Sequence, residues 1–299
     1  MRNDNPKLKL LPVNSPILLN NKTCPYCGEI IESSEVTKEH VIGRKFVPRG
    51  KFNGYWNLIV WACKACNNYK SKLEDDISAI TMQPDCWGRH AADDDALKIA
   101  SVRKGKGSIS RRTGKPVIES SEEHKIKMPF GPNVEMTFTL VSPPHIDLER
   151  MWDLARLHLM GFFYFITFDY ENRTGGFWPG YYMPLHEALK SDWGNPVQIG
   201  FMDEVSTWKH RLCAIGADGF FKIMIRRHPS AECWSWALEW NQKLRLIGFF
   251  GDNEAAELVV EGFQPARMHE IPQGPNQHVG LREEIALREE DDRMFVQPL

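Results

Sequence analysis

The sequence is short of several things, and each shortage excludes a class of protein. It has no surplus of one charge: 37 Lys and Arg stand against 39 Asp and Glu, a net charge of −2. A generic polyanion binder is excluded, and any such role needs a local patch. Long hydrophobic runs are missing too. The longest, Leu157 to Phe168, is interrupted by His158 and Gly161 and is too short to span a bilayer, so no membrane partner is expected. The opening, MRNDNPKLKLLPVNSPILL, lacks the apolar centre of a secretory leader, which points to the cytoplasm. Cysteine is sparse and odd in number, at seven, which suits a reducing compartment with one metal site better than a disulfide framework. No internal repeat is visible.

What remains is a chain of 299 residues, 42% hydrophobic and 25% charged, with room for two domains. The expected class is α+β: a small zinc-stapled module followed by a larger α+β domain. Residues 1–22, with Pro6, Pro12 and Pro16, read as an irregular arm. Residues 23–85 hold two cysteine pairs and then a helix over CNNYKSKLEDDISAI, with Glu74–Asp76 as solvent-facing charge. Residues 86–280 form the larger domain, and 281–299 a charged tail, read as a loose helix.

Within the larger domain, residues 96–118 carry seven Lys and Arg and no acid, interleaved with Gly and Ser, and read as an exposed basic hairpin or loop. EMTFTLV (135–141) alternates like a strand. From about Asp147 to about Ile166, apolar residues recur at steps of three and four, the mark of a helix. RLCAIGADGFFKIMIRR (211–227) reads as a hairpin turning at Asp218-Gly219. AECWSWALEW (231–240) reads as a short helix, with Trp234, Trp236 and Trp240 spaced for packing, and KLRLIGFF (243–250) as a strand.

The chemistry gathers between Cys24 and Lys70. Zn²⁺ takes four soft ligands at tetrahedral corners, and a Cys-x-x-Cys turn supplies two of them. Cys24/Cys27 and Cys63/Cys66 supply all four, with 35 residues between the pairs. A redox dithiol would need only one pair. A site closed by four thiolates leaves no position for water, so this zinc is structural.

The order C-P-Y-C, E-H-V-I, N-L-I-V, C-K-A-C-N-N-Y-K resembles an HNH endonuclease of the zinc-stapled kind, over residues 23–75. The resemblance implies a ββα-metal module that hydrolyses phosphodiester bonds with Mg²⁺ or Mn²⁺. It favours DNA over RNA, and a setting in restriction, phage defence or a mobile element. His40 matches the general base, Glu39 and Asn67 the ligands of the divalent ion, and Asn57 the residue that braces the base's loop. Gly43 stands where the family commonly has Pro. Asn57 lies six residues before Cys63 rather than five, so one extra strand residue turns it to the wrong face unless a bulge absorbs it; Asn53 is the substitute.

The residue types suit that reaction. A neutral imidazole can take a proton from water near pH 7, and a hard cation neutralises charge growing on the phosphate. Lys70, three residues after Asn67 on one helix face, is placed for a neighbouring phosphate, as are Arg44 and Lys45. Residues 38–72 hold eight Lys and Arg and one acid, an electropositive module on a nearly neutral chain.

Plainer readings stand beside these. Glu39 can pair with Lys38 or Arg44, Asn67 can cap the helix, and Lys70 can be solvated. The basic stretch can be mobile, and Tyr55 and Trp56 can pack in a core rather than stack on bases. The functional alternatives are a non-cleaving zinc-knuckle module that binds nucleic acid, and an effector nuclease held silent until a partner activates it. Residues 86–299 are left for a protein partner or self-association.

Overall fold

Glu39 is buried between the more exposed Lys38 and His40 as a strand requires, and from Lys64 the pattern changes to helical spacing. The computed structural model, which describes residues 14–31, 35–131, 134–178, 180–274 and 277–296, follows these switches. Strand β1 (Ile17–Leu18) lies parallel to β3 (Leu58–Cys63), and β2 (Val36–His40) pairs antiparallel on the other side of β3. Helix α1 (Lys64–Thr81) leaves β3 without a break. Of the arm expected over residues 1–22, residues 1–13 lie outside the described residues, and Ile17–Leu18 is a strand of this small sheet.

Helix α2 (Asp95–Gly107) occupies much of the stretch expected to be a basic hairpin or loop. Glycine and serine suggested a loop, but Asp94 caps the helix by accepting from the Leu97 N–H at 2.9 Å, and Leu97 and Ala100 are buried. Strands β4 (Glu122–Gly131) and β5 (Val134–Ser142) form a two-stranded ribbon. Helix α3 (Leu148–Ile166) starts where expected, with Asp147 accepting from the Arg150 N–H at 3.1 Å.

The larger region is a five-stranded antiparallel sheet in the order β6 (Tyr181–Leu189), β10 (Leu244–Gly251), β9 (Cys233–Trp240), β8 (Phe221–Arg227), β7 (Lys209–Gly216). The 231–240 stretch is therefore a strand and not a helix. Its Trp234, Trp236, Leu238 and Trp240 repeat every second residue and enter one core, while Cys233 and Ala237 enter another. A strand buried on both faces loses polar alternation, which is why it resembles a buried helix. The hairpin of β7 and β8 forms as expected, with Ala217 and Asp218 both at positive φ in its turn.

Helices α4 (Pro196–Val205) and α5 (Asn253–Val260) carry Phe201 and Ala256 into the core on one face of this sheet. A second two-stranded ribbon, β11 (Met268–Gly274) and β12 (Gln277–Arg282), follows. The tail is not a loose helix: a short 3-10 turn spans Glu289–Asp291, and Met294 and Phe295 are buried. Residues 297–299 lie outside the described residues.

The other face of the five-stranded sheet packs on α3, and α3 packs on the first region. One continuous core joins Leu19, Val41, Phe46, Trp56 and Leu73 to Phe162, Phe221, Trp240 and Phe250, so the division expected at residue 85 is not a break in packing. Burying each of these phenylalanines is worth about 1.5–3 kcal/mol. The loop between β2 and β3 is held from the far side. Phe46 meets Trp240 edge-on at 5.4 Å, and the Trp56 indole N–H donates to the Ile215 carbonyl at 2.9 Å. The Asn241 amide donates to the Phe46 carbonyl at 3.1 Å. Gly161 of α3 lies so close to Val41 that a Cβ there would sit 2.7 Å from its side chain.

Candidate functional site

The cysteine pairs come together at one corner. Cys24 and Cys27 lie on a tight turn closed by the Gly28 N–H donating to the Cys24 carbonyl at 2.9 Å, with Gly28 at φ +79°. Cys63 ends β3 and Cys66 sits in the first turn of α1. All four sulfurs lie within 4.8 Å of one another, and Cys27 Sγ is 3.8 Å from Cys63 Sγ. Zinc–sulfur bonds of about 2.3 Å give tetrahedral edges of about 3.8 Å. The four cysteines can therefore hold a metal ion such as zinc. Burial pushes the Cys24 thiol up to about 11, so a metal must displace its proton to bind.

Beside this corner, β2 turns Thr37 and Glu39 toward α1. Thr37 Oγ1 accepts from the Asn67 amide at 2.9 Å. Cys63 occupies the helix N-cap position, so Asn67 is not the cap. One rung along, the Glu39 carboxylate meets the Lys70 ammonium at 2.8 Å, and the Tyr26 hydroxyl is 3.5 Å away. Lys70 also meets Glu74 at 2.6 Å and donates to the His40 carbonyl at 3.3 Å. The expected phosphate contact of Lys70 is thus corrected: its side chain is 0% exposed and lies between two carboxylates.

Glu74 is corrected as well. The acidic run predicts a solvent-facing side chain, yet its Oε1 accepts from the Gly43 N–H at 3.0 Å and lies 3.4 Å from the His158 Nε2. Its neighbour Asp76 is buried and paired with Arg150 at 2.6 Å. An acidic run on a helix spans several faces, and two of these three side chains face inward.

One ammonium thus serves two carboxylates. Burial pushes the Glu39 carboxyl above its usual range, with Lys70 opposing. Burial also acts to raise Glu74, but Lys70 and His158 hold it down at about 2. His158 is buried on α3 and lowered to about 4 by desolvation, so it is neutral near pH 7. Residue spacing alone did not point to Glu74 or His158. The available signals were the i,i+4 pairing of Lys70 with Glu74 and the single imidazole in the apolar run 157–166.

His40 is the last residue of β2, half-buried, and lowered by burial, Arg44 and Lys38. Asn57 is buried, and its amide donates to the Ile42 carbonyl at 2.8 Å, two residues beyond His40. β2 and β3 pair in unbroken register with no bulge, and Asn57 lies just before the first residue of β3, so strand alternation does not set the direction of its side chain. Asn53 is exposed in the turn following Gly50.

Arg44 and Lys45 are exposed at the mouth of a cleft beside α1. Trp56 is in the core, and Tyr55 hydrogen-bonds Asp218 at 3.2 Å, so neither is a free base-stacking surface. No helix among the described residues is long and apolar enough to cross a membrane. The chain matches no protein-family model, no curated protein and no solved structure.

Proposed function

We propose that the chain is a nucleic-acid phosphodiesterase of the HNH kind, acting on DNA, with His40 as the general base. The observation that carries this reading is the join of β2, a long loop, β3 and α1 by the cysteine corner, with Asn57 holding the loop that follows His40. In this reading Asn57 fixes the backbone after the base, so the imidazole keeps one position relative to the strand end. The lowered His40 is neutral near pH 7 and can accept a proton from water. Arg44 and Lys45 supply positive charge to the phosphate. Zinc in the cysteine corner fixes the junction of β3 and α1 and takes no part in the reaction.

The residues expected to hold a catalytic Mg²⁺ or Mn²⁺ do not fit such an ion as they stand. Mg²⁺ keeps several waters when bound to protein, whereas Glu39 is only 6% exposed and already carries the Lys70 ammonium. No step is therefore derived through a divalent ion. The same pair favours a second reading, a zinc-knuckle module that binds nucleic acid without cutting it.

A plasmid-nicking assay with Mg²⁺, with Mn²⁺ and with chelator separates the two. Nicking that is lost in His40→Ala, with zinc content unchanged, supports the nuclease. Equal nicking by His40→Ala overturns the assigned base, and no nicking with either ion favours the binder.

A further inference from the structure

We infer that the cleft between the β2–β3 loop, α1 and α2 is a track for the sugar-phosphate backbone of a nucleic acid, in which α2 supplies a wall. The inference rests on the nucleic-acid reading above and adds the path the strand takes, including contacts from outside residues 23–75. The cleft has a volume of about 810 Å³. Arg44, Lys45 and Arg49 line it from the loop, Lys72 from α1, and Arg103, Lys104 and Arg111 from α2 and the turn beyond.

The gathering of these cations in one concavity carries the reading. Some exposed cations elsewhere have partners, as Lys98 has Asp93 and Asp95, Arg112 has Glu122 and Arg89 has Asp85. Others, such as Lys38, Lys64, Lys115 and Lys209, form no ion pair within 4.0 Å among the described residues but stand apart from one another in sequence. Among the described residues, none of the seven cleft cations forms an ion pair within 4.0 Å. The two acids in the lining form no ion pair with them within 4.0 Å. Glu74 is turned inward to Lys70 and Gly43, and Asp75 accepts from the Ser108 hydroxyl at 3.0 Å. Lys104 is the least exposed of the seven and donates to the Ser78 hydroxyl. Desolvation, with Arg103 and Lys45 beside it, lowers its ammonium to about 8 although Asp75 and Glu74 oppose this.

Seven like charges collected in one concavity repel one another unless an anion enters. A phosphodiester chain carries evenly spaced anions, and releases its own counterions when arginine and lysine replace them. The cationic walls come from three separate segments, so a backbone lying in the cleft meets charge on both sides. Base edges are not required for this contact, which positions a strand rather than reading its sequence.

The test is binding of a fluorescein-labelled 20-base-pair DNA duplex by anisotropy, without added divalent ion, over a salt series. Arg103→Glu with Arg111→Glu should weaken binding at least tenfold and reduce the slope of log K against log salt by about 2, at about 0.9 per lost phosphate contact. Arg49→Glu with Lys72→Glu, on the facing walls, should do the same, which covers failure of either pair to fold. Lys98→Glu, on α2 but outside the cleft, should change binding less than twofold. Unchanged affinity and slope in a folded double variant, judged by its thermal midpoint, would overturn the track. If the chain never nicks DNA but the double variants lose binding, the track stands and the nuclease reading falls. If it nicks and the double variants bind and nick as wild type does, the nuclease stands and the track falls.

Discussion

The two regions treat charge in opposite ways. In the sheet region, buried charges close on one another. Arg245 meets Glu239 at 3.0 Å and Asp292 at 2.6 Å and lies 3.9 Å over the Trp193 ring, and Arg282 meets the buried Asp192 at 2.9 Å. In the first region the interior carries two carboxylates on one ammonium, and the adjoining cleft gathers seven cations against two acids, with no ion pair between them within 4.0 Å among the described residues. Closed pairs hold a structure and ask nothing of solvent. Open charge of one sign is costly without a ligand, and it is this imbalance that the proposed anionic backbone would relieve.

The largest test of this contrast is removal of the metal. Structural zinc in small modules carries about 10–16 kcal/mol of folding free energy. Wild type is expected to hold one zinc, and Cys66→Ser to lose it, with the largest fall in thermal midpoint of any variant considered. Because one core joins the regions, calorimetry should show one transition; two separate transitions would show the regions folding independently. Next comes His40→Ala, expected to lower nicking by about 10²–10⁴, the usual contribution of a positioned base. The matching change in the sheet region, Arg245→Met, should leave nicking near wild type when assayed below its own midpoint.

Lys70→Met sharpens the comparison further. It strands Glu39 and Glu74 in the interior and should cost about 3–5 kcal/mol in chemical denaturation, as breaking a buried pair generally does. Adding Glu39→Gln should recover part of that loss; no recovery would mean that Glu39 does not depend on Lys70. The smallest effect concerns Lys104. Its folded value, about 8, lies below the ordinary 10.5. Between those values the unfolded chain holds the proton and the folded chain does not, so stability rises with pH across the window. Duplex affinity moves the other way. It should fall a few-fold from pH 7 to pH 9 in wild type by anisotropy, and less in Lys104→Met.

Much of the frame was legible in the residues. The cysteine spacing placed the metal corner, and Asp147 with the apolar steps after it placed α3. The Asp218-Gly219 pair placed the hairpin turn. The α+β class followed from mixing these elements. Helix α2 was missed because Gly105 and Gly107 read as loop, while the cap at Asp94 lay just outside the basic stretch. Strand β9 was missed because burial on both faces erased the polar half of its alternation. At the site, the meeting of the two cysteine turns was legible from spacing alone. The inward turn of Lys70 and Glu74 was not, because it depends on His158, more than 80 residues away, and on the depth at which α1 packs.

The close seat of Gly161 on Val41 and the edge-on meeting of Phe46 with Trp240 set a limit on reuse of the first region. Excised at residue 85, it would lay bare Val41, Phe46 and Trp56 together and would invite aggregation. A transplant into another scaffold would have to carry α3 along or repaint those three positions with polar residues. The cysteine clamp gives this segment its shape, but the neighbouring sheet gives it a dry back wall.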